Sequence, residues 1–122
     1  MRGSEETQRT MNRTRPISQV EVESEILRLV EMLEQETENF ERLAQDAASK
    51  EAIFRAEWSK QYLIADGAVR EREAKADVRM AEIMYDSKIA DSLVKSKREK
   101  LLSLRSSIDA LRTLNANVRA QV

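Results

Sequence analysis

Three aromatic side chains follow one another at intervals of four residues, which places them on one face of a helix. They are Phe54, Trp58 and Tyr62. Three basic residues are interleaved with them, at Lys50, Arg55 and Lys60. Because bases of a single-stranded nucleic acid stack on aromatic faces while lysine and arginine neutralise phosphates, this segment is a candidate nucleic-acid site. The same spacing is also that of a core-facing helical stripe, which is the alternative interpretation, above all for Phe54.

A second group of basic residues lies further along the chain. Residues 88–105 contain six basic and two acidic side chains. Four more basic residues precede them, at Arg70, Arg72, Lys75 and Arg79. Acidic residues are interspersed among these four, so the continuous basic segment of a DNA-binding zipper protein is lacking. Two interpretations remain, which are contact with the backbone of a nucleic acid and a solvated helix face.

The sequence contains few of the residue types that commonly carry out catalysis. The sequence contains no His and no Cys, which removes the commonest general base, the commonest metal ligand and the usual nucleophilic triads. Gly3 and Gly67 stand alone, so there is no glycine-rich phosphate loop. Carboxylate pairs such as Glu34 and Glu38 are expected on a solvated face of a chain with 22 acidic residues. We therefore predict a protein that is not an enzyme and that uses no metal or cofactor.

Composition indicates long helices. The 122 residues include only 2 Gly and 1 Pro, with 35% charged and 4% aromatic residues. No apolar run approaches the roughly 20 residues that span a bilayer, and no signal segment is evident, so we expect a soluble, cytoplasmic protein. The net charge of −1 is uneven, because residues 18–66 carry five basic and twelve acidic side chains while residues 67–122 carry twelve basic and eight acidic ones. The two halves can attract each other, within one chain or between chains.

The predicted elements follow from local signals. Residues 1–17 are polar and basic and read as a flexible tail. Ser18 and Glu21 form a capping box, which predicts that a helix starts there. Asp66 and Gly67 predict a break near residues 66–68, either a reversal or a kink, because glycine commonly follows a helix end. Beyond it the pattern is helical to about residue 117, which makes residues 18–122 one helical domain.

A stripe of positions in the second helix steps alternately by three and four residues from Ala76 to Val118. This average of 3.5 residues keeps one seam of a helix against a partner helix, so we predict an all-α fold of two long helices forming a helical hairpin or coiled coil. We further predict self-association through the C-terminal heptads, at Val94, Leu101, Leu104, Ile108, Leu111, Asn115 and Val118. Polar residues interrupt the seam: a buried Asn115 would fix register, and Lys97 would extend to its edge.

The layout of residues 20–122 resembles the phage recombination mediators of the UvsY-like group. The resemblance is carried by the segment from Phe54 to Tyr62, the turn Ala65-Asp66-Gly67, the charged run from Arg70 to Ala76, and a terminal helix with leucines at regular spacing. Proteins of that group are accessory proteins of homologous recombination. The resemblance implies binding of single-stranded DNA, a ring-like homo-oligomer, and help to a RecA-like recombinase in replacing the single-strand-binding protein, in the cytoplasm of a phage-infected host.

The resemblance implies that Lys50, Arg55 and Lys60 bind the strand, with Arg70 and Arg72 as a looser extension. Together with the aromatic residues, the candidate nucleic-acid-binding set is Lys50, Arg55, Trp58, Lys60, Tyr62, Arg70 and Arg72. An alternative function uses the same helices without nucleic acid. In that case the chain is a phage structural scaffold, tail adaptor or assembly chaperone that acts through coiled-coil contacts with proteins.

Overall fold

The computed structural model describes residues 18–121, which form three helices. Helix α1 spans Gln19–Ile64, α2 spans Val69–Arg79 and α3 spans Ala81–Ala120. Helix accounts for 93% of the described residues, which include no strand, and the two long helices α1 and α3 pack together. The predicted all-α class is thus confirmed. The predicted tail, residues 1–17, lies outside the described residues.

Helix α1 begins with the predicted capping box. The Glu21 backbone N–H donates to the Ser18 hydroxyl oxygen at 3.2 Å, and the Ser18 N–H donates to the Glu21 carboxylate at 3.4 Å. These two bonds satisfy backbone donors that the first turn of a helix leaves without a partner. The start of α1 is therefore set by residues only three positions apart.

The chain reverses direction between α1 and α2. Gly67 adopts a φ of +113°, which side chains with a Cβ rarely adopt. A Cβ at this position would also lie within 2.2 Å of the Glu71 carboxylate, so the turn requires glycine. The Lys75 ammonium, from the middle of α2, donates to the Asp66 carbonyl at 2.8 Å and connects the helix to the turn.

The long second helix predicted from the seam is interrupted. Helix α2 ends at Arg79 and α3 begins at Ala81, because Met80 has a φ of −102° and a ψ of 11°, outside the helical range. Two backbone hydrogen bonds remain at the interruption, from Met80 N–H to the Ala76 carbonyl and from Met84 N–H to the Met80 carbonyl, both 2.9 Å long.

One compact unit combines the described residues up to Glu31 with those from Ser106 onward. Its buried apolar side chains are Val22, Leu29 and Ile108. Pairing of the start of α1 with the end of α3 makes the two helices antiparallel here.

In this first unit, Glu23 forms hydrogen bonds with residues of both α1 and α3. Its carboxylate accepts hydrogen bonds from the Gln19 side chain at 3.0 Å and from Arg119 at 3.3 Å. These bonds, with a smaller contribution from Asn115, hold the pKa of Glu23 below its ordinary value of 4.5. Asn115 is buried as predicted, and its carbonyl oxygen has no hydrogen-bond partner among the described residues.

The second compact unit is Met32–Arg105. Its buried apolar residues are Ala65, Ala76, Ala90, Val94, Leu101 and Leu104. With Ile108 and Asn115 in the first unit, five of the seven residues predicted to mediate association are buried within the chain's own fold, while Leu111 and Val118 are half-buried. Association between chains through these seven residues stays a prediction.

Candidate nucleic-acid interface

Two of the predicted aromatic residues form a stack at the end of α1. The rings of Trp58 and Tyr62 are nearly parallel, at 14°, with centroids 5.5 Å apart. The Arg72 guanidinium of α2 lies over the Tyr62 ring, 5.9 Å from its centroid, in reach of a cation–π interaction. We call this arrangement of Arg72, Tyr62 and Trp58 the stacking ladder. It brings together three of the seven predicted nucleic-acid-binding residues.

Residues of α2 hold the ladder in place. The Trp58 indole N–H donates to the Asp77 carboxylate at 2.8 Å, which fixes the orientation of the ring. In a second contact between the two helices, Arg79 donates to the Gln61 side-chain oxygen at 3.2 Å. Sequence reasoning did not identify Asp77 as a partner of Trp58, because the two residues are 19 positions apart and meet only after the chain reverses.

Phe54, the third aromatic residue of the row, does not join the ladder. It is half-buried and lines an open groove of about 780 Å³ with small residues of α1, including Ala44, Ala47 and Ala48, and with Met84 and Val94 of α3. The interpretation of Phe54 as a residue of the helix–helix packing fits this position.

The three predicted basic residues of α1 are each paired along their own helix. Lys50 binds Asp46 at 3.0 Å, Arg55 binds Glu51 at 2.7 Å and Lys60 binds Glu57 at 3.1 Å. Their side chains are 44%, 75% and 69% exposed. Exposed pairs of this kind contribute only about 0–1 kcal/mol to stability, so a phosphate can replace the carboxylate at little cost.

The two predicted residues of α2 differ from each other. Arg72 is half-buried within the stacking ladder, and its Nε atom is buried without a hydrogen-bond partner among the described residues. Arg70 is exposed and forms no ion pair within residues 18–121. Arg70 is thus free to bind a phosphate, whereas Arg72 serves the packing of the aromatic rings.

Two lysines in the basic stretch of α3 form ion pairs with one residue of α1. Glu36 of α1 binds Lys97 at 2.5 Å and Lys100 at 3.0 Å, and the Glu36 side chain is only 15% exposed. The bond from Lys97, followed by that from Lys100, holds the pKa of Glu36 below its ordinary value of 4.5. Lys97 was predicted to extend to the edge of the seam, and its ammonium binds Glu36, a specific partner that sequence reasoning missed.

The other basic residues of this stretch remain at the surface. Arg98 lies over the Phe40 ring, 6.0 Å from the centroid, and both line a shallow depression with Arg105. Lys95 binds Asp91 one turn away at 3.0 Å, with 70% of the lysine side chain exposed. Among the described residues, this stretch of α3 therefore carries both cations that form ion pairs and cations that do not.

None of the helices within the described residues is long and apolar enough to cross a membrane. Within residues 18–121 no three acidic side chains converge in a way that could hold a metal ion. Comparison of the chain with protein-family models, with curated proteins and with solved structures found no match.

Proposed function

We propose that this chain binds single-stranded DNA at the stacking ladder and acts as an accessory protein of homologous recombination. The observation that carries the proposal is the ladder itself, two nearly parallel aromatic rings with a guanidinium over one of them. Tyr62 contacts both other members of the ladder, the Arg72 guanidinium over its ring and the stacked ring of Trp58. An unstacked base extends the ladder at its Trp58 end, and each such contact is worth about 1–3 kcal/mol.

Phosphate contacts would come from the exposed cations near the ladder. Arg55 and Lys60 lie within one turn of Trp58 on α1, and Lys50 and Arg70 extend the set. Since the pairs that Arg55 and Lys60 now form are exposed, these cations can exchange a carboxylate for a phosphate. Affinity built in this way depends little on base sequence and falls steeply with salt.

The role in recombination rests on the resemblance to UvsY-like mediators. It supplies the partners of the proposal, which are a RecA-like recombinase and the single-strand-binding protein, and the setting, the cytoplasm of a phage-infected cell. It also supplies a coiled-coil, ring-like homo-oligomer built on the C-terminal heptads. Such an interface would have to displace α1, because Val94, Leu101 and Leu104 are already covered within the chain.

The sole tryptophan of the chain gives a direct test of the site. Oligothymidine added at about 50 mM salt, where phosphate contacts are strong, should quench the fluorescence of Trp58 as a base stacks on it. Binding of a labelled oligonucleotide, followed by anisotropy, should weaken about tenfold in Trp58→Ala and should also weaken when Arg55 and Lys60 are both replaced by alanine.

Leu63→Ala is the matched control for Trp58→Ala. Leu63 is 74% exposed on the same stretch of α1, so its truncation should leave affinity unchanged. If oligothymidine leaves the fluorescence of the wild-type protein unchanged, and the protein does not raise the anisotropy of the labelled oligonucleotide at low salt, the proposed site does not exist.

A second candidate function is favoured by the pairing of the predicted cations. Lys50, Arg55 and Lys60 each already have a carboxylate partner, as a surface without a nucleic-acid ligand would. In this case the chain is a structural scaffold, tail adaptor or assembly chaperone that holds a protein through its helices. The absorbance ratio at 260 and 280 nm after purification, together with retention on heparin, separates the two, since copurified nucleic acid belongs only to the first.

A further inference from the structure

Residues 18–121 leave an apolar stripe on the first half of α3 exposed. Tyr85, Ile89 and Leu93 follow one another at intervals of four residues and are 65%, 42% and 49% exposed. The same turns of α3 bury Ala90 and Val94 on a different face. This part of α3 therefore has two apolar faces, of which the described residues cover only one. We call the uncovered face, with its polar ends Glu82, Asp86, Ser96 and Lys100, the α3 outer face.

We propose that the α3 outer face binds the same face of a second copy, with the two α3 helices antiparallel and a two-fold axis midway between Ile89 and Leu93. A two-fold axis makes one patch contact itself, so the patch has to be complementary to itself when reversed. In this register residue 89 of one copy faces residue 93 of the other, which places Ile89 against Leu93 twice at the centre of the contact.

The polar ends of the face agree with this register. Residue 86 faces residue 96, which sets the Asp86 carboxylate opposite the Ser96 hydroxyl. Residue 82 faces residue 100, which sets Glu82 opposite Lys100. The carboxylates of Glu82 and Asp86 thus lie on the N-terminal side of the axis. The Ser96 hydroxyl and the Lys100 ammonium lie at the same distances from it on the C-terminal side.

The charges that would meet are available for the contact. Neither Glu82 nor Asp86 forms an ion pair with another described residue. Lys100 contacts Glu36 at 3.0 Å but keeps 52% of its side chain exposed, so it can reach a second carboxylate. A parallel arrangement of the two copies would instead set Glu82 against Glu82 and Lys100 against Lys100, and such like-charge contacts are unfavourable.

This inference does not depend on nucleic acid, and it differs from association through the C-terminal heptads. The heptad residues of the second unit are already buried inside the chain, whereas the α3 outer face can be covered without any change in the fold. Two copies joined in this way would align four long helices side by side, the usual arrangement of a helical bundle.

The first test is the mass of the protein in solution without nucleic acid. The chain has a mass of 14.0 kDa, so light scattering should give twice that value or a higher even multiple. Replacing Ile89 and Leu93 together by glutamate sets four carboxylates against one another and should halve the dimer mass. Leu102→Glu is the matched control, because Leu102 is 48% exposed on the same helix but outside the α3 outer face.

Both variants should keep the circular dichroism of the wild type, since the replaced side chains are exposed. Should the glutamate pair lower the helix content, the uncharged pair Ile89→Gln, Leu93→Gln takes its place with the same expected loss of mass. A monomeric wild-type protein overturns the proposal, and so does a double variant that keeps the wild-type mass.

Crosslinking tests the antiparallel register. The chain has no cysteine, so Asp86→Cys and Ser96→Cys each introduce a single reactive thiol. A short bismaleimide should join the two variants when they are mixed and should leave each variant alone unjoined. In the antiparallel dimer two residues 96 lie ten positions apart along the helices, about 15 Å. Crosslinking of Ser96→Cys to itself, or no crosslink in any sample, contradicts the register.

Discussion

Two stretches of α1 carry ionic contacts of opposite kinds. Between Lys50 and Lys60 each basic residue binds a carboxylate on its own helix, and the cations are 44% to 75% exposed. At Glu36 the carboxylate is 15% exposed and binds two lysines that are 61 and 64 positions away in the sequence. The first kind needs only a helix, whereas the second needs α1 and α3 in one particular register.

The difference separates charges that can serve a ligand from charges that serve the fold. A pair between neighbours on one helix forms in any state in which that helix forms, and it exchanges easily with solvent or phosphate. Glu36 and Lys97 lose their hydration when the helices pack, so each depends on the other. For this reason the proposed nucleic-acid site includes Lys60 and not Lys97, although both lie in basic parts of the sequence.

Reversing the charge of Lys97 should give the largest loss of stability among these tests. Lys97→Glu sets a second carboxylate against Glu36 in a site where the lysine side chain is only 21% exposed. The midpoint of thermal unfolding should fall by several degrees. Lys60→Glu, the same change at a 69% exposed position, should alter the free energy of unfolding by no more than about 0.5 kcal/mol. Equal losses of stability at the two sites would show that the two kinds of ion pair do not differ in what they contribute to the fold.

Neutralising the carboxylate should have an intermediate effect. Glu36→Gln keeps the shape of the side chain but leaves Lys97 facing an amide, so the urea midpoint should fall. Glu51→Gln, at the exposed pair with Arg55, should leave the midpoint close to that of the wild type. If Glu36→Gln is as stable as the wild type, the contact with Lys97 and Lys100 does not stabilise the packing of α1 on α3.

The dependence of stability on pH should give the smallest and most specific signal. The folded-state pKa of Glu36 is lower than its ordinary value of 4.5, so the folded protein binds fewer protons than the unfolded chain. The contribution of Glu36 to the free energy of unfolding is therefore complete above pH 4.5 and is lost as the pH falls through the folded-state value.

The urea midpoints of the wild type and of Glu36→Gln should converge as the pH falls below 4.5. A difference that stays constant would show that Glu36 does not titrate in this way. Glu23 titrates in both proteins and does not affect the difference.

Some features of the fold could be predicted because their causes are local. Ser18 and Glu21 are three residues apart and form their two hydrogen bonds within the first turn of the helix. Gly67 was predicted to break the helix because a positive φ is inexpensive only for glycine, and α1 ends three residues before it. The interval of four between Trp58 and Tyr62 placed the two rings on one face, where they stack.

Other features depend on pairs of residues that are distant in the sequence. The partner of Glu36 could not be chosen from its neighbours, because several basic residues of α3 were equally suitable until the register of the two helices was set. The partner of Trp58 was hidden in the same way, since Asp77 reads only as one acidic residue in a mixed charged segment. The interruption at Met80 had no signal in the seam, which continues through it.

The sequence by itself determined that this protein consists of long helices, where the first one starts, and which stripe of α3 faces a partner, because each of these properties arises from residues within one or two helical turns. Only the tertiary structure decided that the stripe is covered within the chain and that Tyr85, Ile89 and Leu93 stay outside. An apolar seam has the same spacing whether its partner belongs to the same chain or to another one. The choice between them depends on how the turn at Gly67 brings α1 back against α3.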